Sequence, residues 1–464
     1  MLSLCSASVM GTDLLPLVGR SHRMPRGSTK GNAVMKIAVV GAGWNGAHCA
    51  LELVTAGHQV VLLDKHPDIF QGVSGDFGIR LHKGPHYPRS RNTRESCLEV
   101  FDRFRETYPE LVVTHDSAIY AQGTRDALGN RSKVSNDAFA HVCHESPECR
   151  EVDLSSSAFA GLESAFDLDE PSVVLGDRLR SYFRERLAVA GVQIHSGFCV
   201  EKIVRKANQS LVYRDDGSVL AFDLVINTTG FQSLLPAHFE RDFPFDVEVV
   251  YQPCLALCYQ DRQPSEKPFS FIVMDGWFPC LMPAITSQGS FPANYILTHG
   301  SYTIMGSFPT VAQADSLLEG LTDEFVAAKV KAFAEAEMCR FWPEFSRRFH
   351  YTGWKGSVLA KLKTRSEFRS AVTFENEGVI YVFPGKISNV FNAADEVLAL
   401  IANRSSIEKN GFRYAAQGVL DIAHCEMTQK PEFGEQNTCN LQTYTQLGGR
   451  KQASQPQTVE ATCH

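Results

Sequence analysis

The clearest hydrophobic pattern in the chain lies between residues 36 and 64 and predicts a strand, a helix and a second strand. The β-branched run Ile37-Ala-Val-Val40 is typical of a buried strand. A helix is predicted over residues 47–55, with Gly57 just beyond its end, and the apolar run 60–63 predicts the next strand. This order of elements indicates the first unit of a parallel α/β sheet.

Three glycines follow the first strand with the spacing of a nucleotide-binding turn. Gly41 allows the tight turn, Gly43 lets a pyrophosphate approach the backbone, and Gly46 lets the helix pack closely against the strand. The first amides of that helix form an anion site, and Asp64 ends the second strand close to the spacing at which a carboxylate reaches ribose hydroxyls. We therefore predict a bound dinucleotide, because a glycine-rich turn without a ligand would leave Asp64 unexplained.

Later segments predict further elements on both sides of a polar, weakly patterned region that ends near residue 165. Amphipathic helices are predicted near residues 93–107, 176–190 and 322–340. Strands are predicted near residues 111–121, 192–195, 199–205, 211–214, 220–222, 254–260, 269–274, 294–298, 302–306 and 379–383, and residues 223–230 predict an apolar strand that runs into a small polar turn. The short strands between residues 235 and 310 indicate an antiparallel sheet that interrupts the α/β core.

The composition narrows the class of protein. The 464 residues carry a net charge of −7 with both signs interspersed, which argues against a nucleic-acid partner. No apolar run approaches the roughly eighteen residues of a membrane-spanning helix. The 13 cysteines contain no CxxC pair, which indicates reduced thiols, so we predict a cytoplasmic protein without a disulfide scaffold.

The two ends of the chain differ from the rest in composition. Residues 1–34 carry four basic residues against the single acid Asp13, which fits an organellar transit peptide. A disordered extension, with Met35 as the working start, is the alternative. Residues 430–464 are polar and rich in Gln and Thr, so we predict a disordered tail there.

The loop at residues 71–94 is dense in Gly, Pro, His and Arg and is a second candidate for function. His82 and His86 have the four-residue spacing of a metal-binding pair, but Gly84 and Pro85 between them argue against the helix that such a pair needs. No third ligand stands out in the sequence. No metal site is predicted.

Three features together resemble the FAD-dependent oxidoreductases of the glutathione-reductase-like fold, in the D-amino-acid-oxidase branch. They are the dinucleotide unit, the strand end Asn227-Thr-Thr-Gly230 and the strand-to-helix turn at Gly385-Lys386. The segment 80–90 is also similar to an arginine- and histidine-rich signature of bacterial members of that branch. The resemblance implies an α/β protein with a Rossmann-like FAD-binding domain and an inserted antiparallel-sheet α+β substrate domain.

The resemblance also implies domain boundaries and cofactor contacts. The predicted parts are an extension at 1–34, an FAD-binding domain at 35–75, 165–235 and 370–405, a substrate domain at 76–164 and 236–369, a C-terminal helical segment at 406–429 and a tail at 430–464. The residues implied in FAD binding are Gly41, Gly43, Trp44, Asn45, Gly46, Asp64, Lys65, Val200, Thr229, Gly230, Gly385, Lys386 and Ile387. Val200 would bond the adenine through its backbone. Lys386 and a helix dipole would stabilise the flavin edge that becomes anionic on reduction, although Lys386 could equally be a solvated first-turn lysine.

The loop and the inserted sheet offer residues for the oxidation of a C–N bond at the flavin. Arginine binds a carboxylate in a bidentate way, and histidine can act as an acid or a base near neutral pH. The predicted catalytic residues are Arg80, His82, His86, Arg89, His299 and Lys386. For each loop residue, tying down the loop or contacting the FAD phosphates is an equally good interpretation.

The sequence holds no second GxGxxG unit, so we predict no separate NAD(P)H domain. The electrons then come from the substrate, and dioxygen or an electron carrier reoxidises the flavin. We predict an oxidoreductase that acts on an amine or an amino-acid-like small molecule. The alternatives are a monooxygenase reduced by NAD(P)H and a non-redox, mutase-like flavoprotein. The turn at residues 383–388 lacks the Gly-Asp pair that is usual in aromatic hydroxylases of this fold.

Overall fold

The strands of the described residues form two large and two small sheets, and helices alternate with strands along the chain. The computed structural model describes residues 33–77, 79–236, 248–286, 293–363 and 370–420. The strands are β1 Lys36–Val40, β2 Gln59–Asp64, β3 Ile79–Arg80, β4 Val112–Val113, β5 Ser117–Gln122, β6 Arg150–Glu151, β7 Ser164–Asp167, β8 Ser172–Val173, β9 Gln193–Ser196, β10 Val200–Lys206, β11 Gln209–Arg214, β12 Val219–Phe222, β13 Leu224–Asn227, β14 Glu248–Asp261, β15 Phe269–Met274, β16 Pro279–Pro283, β17 Asn294–His299, β18 Phe349–Lys363, β19 Val372–Asn376, β20 Val379–Phe383, β21 Ser406–Lys409 and β22 Phe412–Ala415.

The helices cover the faces of these sheets. They are α1 Trp44–Thr55, α2 Val73–Asp76, α3 Arg91–Thr107, α4 Asn136–Glu145, α5 Gly176–Val189, α6 Val311–Glu319, α7 Asp323–Phe325, α8 Ala332–Phe341, α9 Phe345–Arg348 and α10 Val390–Ile401. A π-helix at Val326–Lys331 joins α7 to α8, and short 3-10 helices lie at Pro109–Leu111 and Ile387–Asn389. None of the helices in the described part of the chain combines the length and the apolar character that a bilayer crossing requires.

The first large sheet has the order β21-β22-β19-β20-β13-β1-β2-β9, and its five strands from β20 to β9 are parallel. Strand β1, the middle one of these five, is apolar from Ile37 to Val40, where both of its faces are buried. Helices α1 and α10 pack on one face through small and apolar side chains such as Ala47, Ala50 and Ala394. The sheet therefore brings the carboxyl ends of β1, β2 and β13 to one edge.

The second large sheet has the order β18-β14-β17-β16-β15-β5-β7-β6 and packs against α8. Strands β14 and β18 pair antiparallel over almost their whole length, from Glu248 opposite Lys363 to Asp261 opposite Phe349. Strands β5 and β15 are parallel, so the sheet is mixed where the sequence predicted an antiparallel one. Residues 302–306, predicted to be a strand, form turns and a single bridge instead.

The C-terminal segment corrects another prediction. Residues 406–415 were predicted to be helical, but they form the hairpin β21–β22 that extends the first sheet, and only residues 416–420 are helical. Asn410 and Gly411 turn the hairpin with φ values of 50° and 84°, the positive values that a two-residue Asn-Gly turn adopts. The predicted extension at 1–34 lies almost entirely, and the tail at 430–464 entirely, outside the described residues.

The boundary between two domains stays a prediction. The described residues from Val34 onward pack as one compact unit. The two large sheets nevertheless have separate apolar cores, one around α1 and α10 and one around α8. The fold thus brings a nucleotide-type sheet and a second sheet together within one unit, with the 71–94 loop running between them.

Candidate cofactor and substrate site

The turn from β1 to α1 has no room for a side chain at Gly41 or at Gly46. Gly41 has a φ of 99°, and a Cβ on Gly46 would lie 1.8 Å from the carbonyl oxygen of Gly41. Gly43 is the N-cap of α1, and neither a side-chain cap nor an acidic residue occupies its first turn. The helix amides and dipole therefore favour an anion at this position, as the sequence predicted.

The carboxylate of Asp64 is held at the end of β2, beside that turn. Its Oδ2 accepts a hydrogen bond from the amide of Ala42 at 2.6 Å and its Oδ1 accepts one from the amide of His66 at 2.8 Å. The turn leading to Val200 joins the same corner, because the amide of Phe198 donates to the Asp64 carbonyl at 2.7 Å. Lys65 is exposed at this edge. The predicted ribose and adenine residues therefore share one corner.

Thr228 ties β13 to the glycine turn and was missed by the sequence analysis. Its hydroxyl lies 2.9 Å from the Val40 carbonyl and 2.8 Å from the Gly41 carbonyl. The predicted residues Thr229 and Gly230 follow at once, and the hydroxyl of Thr229 donates to Asn227 Oδ1 at 2.7 Å. The signal was the Asn-Thr-Thr-Gly motif itself, but the resemblance assigned only its last two residues.

Trp44 differs from its predicted role. Its side chain is buried, and its ring centroid lies 5.0–5.7 Å from the centroids of four other aromatic rings. The four partners are Phe70, Phe104, Tyr108 and Phe183. Only the backbone of Trp44 is therefore placed to contact a nucleotide, whereas Asn45 is half-buried at the start of the helix. The cramped glycine turn, the uncapped helix and the buried Asp64 together fit an adenine dinucleotide.

A cavity of about 520 Å³ lies between the second sheet and the turn before α10. Its walls come from residues 86–90, from strands β14 to β18 and from Lys386, whose turn is closed by Asn389 Oδ1 accepting from the Lys386 amide at 3.0 Å. Of the predicted catalytic residues, it brings together His86, Arg89, His299 and Lys386. Gly385 and Ile387 flank Lys386 in the chain.

The cavity walls carry more positive than negative charge. Among the described residues, five cationic side chains line it, and these are Arg89, Lys133, Lys361, Lys363 and Lys386. Both acidic side chains in the walls are paired with cations, Asp275 with Arg89 at 2.6 Å and Glu248 with Lys363 at 2.9 Å. The excess of positive charge favours an anionic ligand.

His299 lines the cavity but does not suit acid–base chemistry. Its side chain is 1% exposed, and its Nδ1 accepts a hydrogen bond from the amide of Ser301 at 3.0 Å. Burial lowers the pKa of His299 to about 3, so the ring stays neutral at ordinary pH. The structure therefore argues against His299 as the proton carrier that the sequence suggested.

Arg80 and His82 lie behind the cavity wall, contrary to their predicted roles at the substrate. Arg80 Nη1 donates to the Tyr120 hydroxyl at 2.9 Å, and Tyr120 donates to Glu170. His82 Nδ1 lies 3.3 Å from the same carboxylate. Burial, together with the Arg80 and Lys386 cations, holds the pKa of His82 well below its ordinary value. Glu170 itself was missed, because no motif surrounds it in the sequence.

The surroundings of the cavity also include cysteines, one of which, Cys280, lines it. Cys97 and Cys280 lie near it as free thiols, and burial raises the pKa of each. Within the described ranges, no group of three His, Cys, Asp or Glu side chains is arranged to hold a metal ion.

Comparison with known proteins adds to this geometry. Residues 36–383 match the model of the FAD dependent oxidoreductase family known as DAO. The chain is 54% identical over 419 residues to a protein of Aspergillus flavus named FAD-dependent monooxygenase kojA, a match that covers 89% of the chain and 98% of the relative. It is 28% identical over 380 residues to FAD-dependent monooxygenase FPY4 of Fusarium mangiferae, covering 80% of the chain and 92% of the relative.

Solved structures share the fold. Glycine oxidase from Geobacillus kaustophilus superposes with a TM-score of 0.59 at 13% identity, covering 80% of this chain and 95% of that one. The fructosyl amine oxidoreductase Amadoriase I from Aspergillus fumigatus superposes with a TM-score of 0.55 at 13% identity, covering 81% and 88%. These likenesses confirm the fold that the sequence motifs implied.

Proposed function

Since this chain belongs to the family of FAD-dependent oxidoreductases, and its cofactor is FAD, we propose that it oxidises a small anionic amine or amino-acid-like substrate. In this reaction the substrate loses a hydride from the carbon next to nitrogen and a proton from the nitrogen. Bound FAD supplies the electron acceptor. Dioxygen or an electron carrier then takes the electrons onward.

The charge of the cavity is the observation that carries the proposal. A carboxylate entering it meets cations on several sides, among them Lys133, Lys386 and Arg89. Arg89 already pairs with Asp275 through its Nε at 2.6 Å, which fixes the orientation of its planar guanidinium. A carboxylate bound there would hold the adjacent C–H bond in one place, which is the main contribution of a protein to hydride transfer.

In this proposal, Lys386 marks the end of the cavity where the flavin would bind. Its Nζ lies 4.9 Å from the centroid of the Tyr87 ring, and its backbone begins the turn that leads into α10. A cation at that turn stabilises negative charge as electrons arrive. His86 and Tyr87 line the wall beside it.

An anaerobic titration of the purified holoenzyme tests the proposal. Amino acids and amines of graded charge are added, and we expect the visible flavin absorbance to bleach with an anionic amine and not with its neutral ester. Lys386→Met should slow bleaching by about tenfold or more, since losing one charged contact costs about 1.5–3 kcal/mol. Lys206→Met, at an exposed lysine on β10 that does not line the cavity, is the matched control.

Monooxygenation is the second candidate, because the relative with 54% identity carries that name. In that reaction NAD(P)H gives two electrons, and dioxygen gives one oxygen atom to the product and one to water. Rapid flavin reduction by NAD(P)H, without bleaching by any amine, together with incorporation of isotope-labelled dioxygen into the product, would select it. Bleaching of the flavin by an amine, with no labelled oxygen in the product, would select amine oxidation.

A further inference from the structure

Glu170 is a fully buried carboxylate behind the cavity wall, and three groups converge on it. Its Oε1 accepts from the amide of Lys83 at 2.7 Å. Its Oε2 accepts from the Tyr120 hydroxyl and lies 3.3 Å from His82 Nδ1. Burial raises the pKa of Glu170, while the Arg80 cation, the Tyr120 hydroxyl and the Lys83 amide oppose that rise by favouring the charged form.

One series of hydrogen bonds connects Glu170 to the cavity through Tyr120 and Arg80. A phenol has a single proton, and Tyr120 gives it to the carboxylate, so its oxygen accepts from Arg80 Nη1 at 2.9 Å. Arg80 Nη2 lies 3.4 Å from His86 Nδ1. A guanidinium can only donate, so His86 Nδ1 must accept, and the proton of a neutral His86 ring sits on Nε2.

A second route passes through His82. A charged carboxylate only accepts, so His82 donates to Glu170 through Nδ1. The His82 ring stacks on the His86 ring, with centroids 4.7 Å apart and planes 14° apart. His86 lines the cavity. Two series of side-chain contacts, one through Arg80 and Tyr120 and one through His82, therefore connect it to the same buried carboxylate.

We propose that Glu170 is a positioning residue that, through Tyr120 and Arg80, keeps His86 neutral with its proton on Nε2. His86 then serves the cavity as a hydrogen-bond donor and not as a base. The inference rests on the proposed function only in taking this cavity as the substrate site. Among the described residues, the titratable or charged groups around His86 include Arg80, His82, Tyr87 and Tyr120, and Lys386 lies over the Tyr87 ring.

The charges of these groups agree with the proposal. A protonated His86 would place a second cation 3.4 Å from Arg80 Nη2, with its Nδ1 proton facing another donor. Glu170 compensates Arg80 and keeps the guanidinium inside the wall. Without that anchor, no carboxylate of the described residues compensates the buried Arg80 cation, and it would move toward solvent and release His86.

Nuclear magnetic resonance of the holoprotein, with isotope-labelled histidine rings, reads the His86 tautomer directly. The His86 signal is assigned by its loss in His86→Gln. In the wild type we expect a neutral Nε2–H ring that does not titrate between about pH 5 and pH 8, the range in which an ordinary histidine titrates. Tyr120→Phe keeps every charge but removes the oxygen that holds Arg80 Nη1, so the guanidinium can turn directly to Glu170 and away from His86. His86 should then titrate near its ordinary pKa.

Glu170→Gln should release His86 in the same way if it folds, and Tyr120→Phe keeps the test decisive if it does not. Glu337→Gln is the matched control, since Glu337 is also a buried carboxylate paired with an arginine, Arg340, but does not line the cavity. A His86 that titrates normally in the wild type, or stays locked in both variants, would overturn the proposal.

Calorimetric titration with benzoate separates this proposal from the proposed function. In Tyr120→Phe, the affinity for benzoate should rise by up to about tenfold for each unit by which the pH falls, because His86 gains its charge. The affinity of the wild type should not change with pH. A pH-independent affinity in Tyr120→Phe would count against the role of Glu170. If benzoate binds to neither protein while the tautomer is locked as expected, the anionic-substrate proposal fails and the role of Glu170 stands.

Discussion

At the scale of single residues, the packing of Gly46 leaves no space for even one added carbon. The clash of 1.8 Å would be with backbone, which cannot move without opening the turn. We expect Gly46→Ala to reduce the ratio of bound flavin to protein at least tenfold, measured by absorbance after gel filtration. Gly57→Ala is the control: unlike Gly46, Gly57 has a positive φ, but an added Cβ there would meet nothing within 4 Å, so about 1 kcal/mol of stability is lost and FAD is retained.

Asp64 supports a second prediction at this scale. Its two oxygens hold the amides of Ala42 and His66, and a ribose hydroxyl would donate to the same carboxylate. We expect Asp64→Ala to weaken FAD binding by about 10- to 100-fold, equivalent to about 1.4–2.8 kcal/mol. Fluorescence titration of the apoprotein measures this. An unchanged affinity would show that the ribose lies elsewhere.

Individual residues also mark the limit of sequence reasoning. The glycines and Asp64 could be found because their spacing reflects local chain geometry. Glu170 could not, because its partners Tyr120 and Arg80 are 50 and 90 residues away in the chain and meet only through the packing of two sheets. For the same reason, the sequence could not decide whether Arg80 binds the substrate or holds the loop, and the structure places it behind the cavity wall, bonded to Tyr120.

At the scale of elements, the hairpin β21–β22 completes the edge of the nucleotide-type sheet. Tyr414 is fully buried in the core beside Phe374, with ring centroids 5.5 Å apart. We expect Tyr414→Ala to lower the free energy of unfolding by about 3–5 kcal/mol, measured by urea denaturation. Glu408→Ala, at an exposed position of the same hairpin, should change it by less than about 0.5 kcal/mol.

The elements were predicted where the pattern is local and strong. The strand–helix–strand unit and helices α3 and α5 agree with the sequence to within a few residues. The hairpin was missed although Asn410-Gly411 is the strongest short-range hairpin signal, because the preceding helical pattern was extended across it. Strand β18 was missed because it is a half-exposed edge strand without clear alternation.

At the scale of the whole molecule, buried histidines should make stability depend on pH. Burial is the main cause that lowers the pKa of His48 and His299 to about 3 and that of His115 to about 4. These rings stay neutral in the folded state, while the unfolded chain takes up their protons below about pH 6.5. Since the unfolded state then binds more protons, stability falls as pH drops from about 6.5 toward 4.

Each of these rings should lower the free energy of unfolding by about 1.4 kcal/mol for each unit by which the pH falls in that window. Thermal unfolding between about pH 7 and pH 5 measures the slope, and His48→Gln should reduce it by the share of one group. A variant slope equal to that of the wild type would mean that His48 is protonated in the folded protein. Carboxylates with lowered pKa values add to the loss only at more acidic pH.

The order of strands in the first sheet has a consequence for biogenesis. Strand β1 lies between β2 and β13, but β13 follows β2 by about 160 residues, and β20 follows later still. At ribosomal speeds of about 5–20 residues per second, the nascent chain waits roughly 10–30 seconds with one flank of β1 uncovered. Such an open edge attracts other chains. Products truncated before Phe383 should therefore depend on chaperones or precipitate, while the full-length polypeptide can close its own sheet.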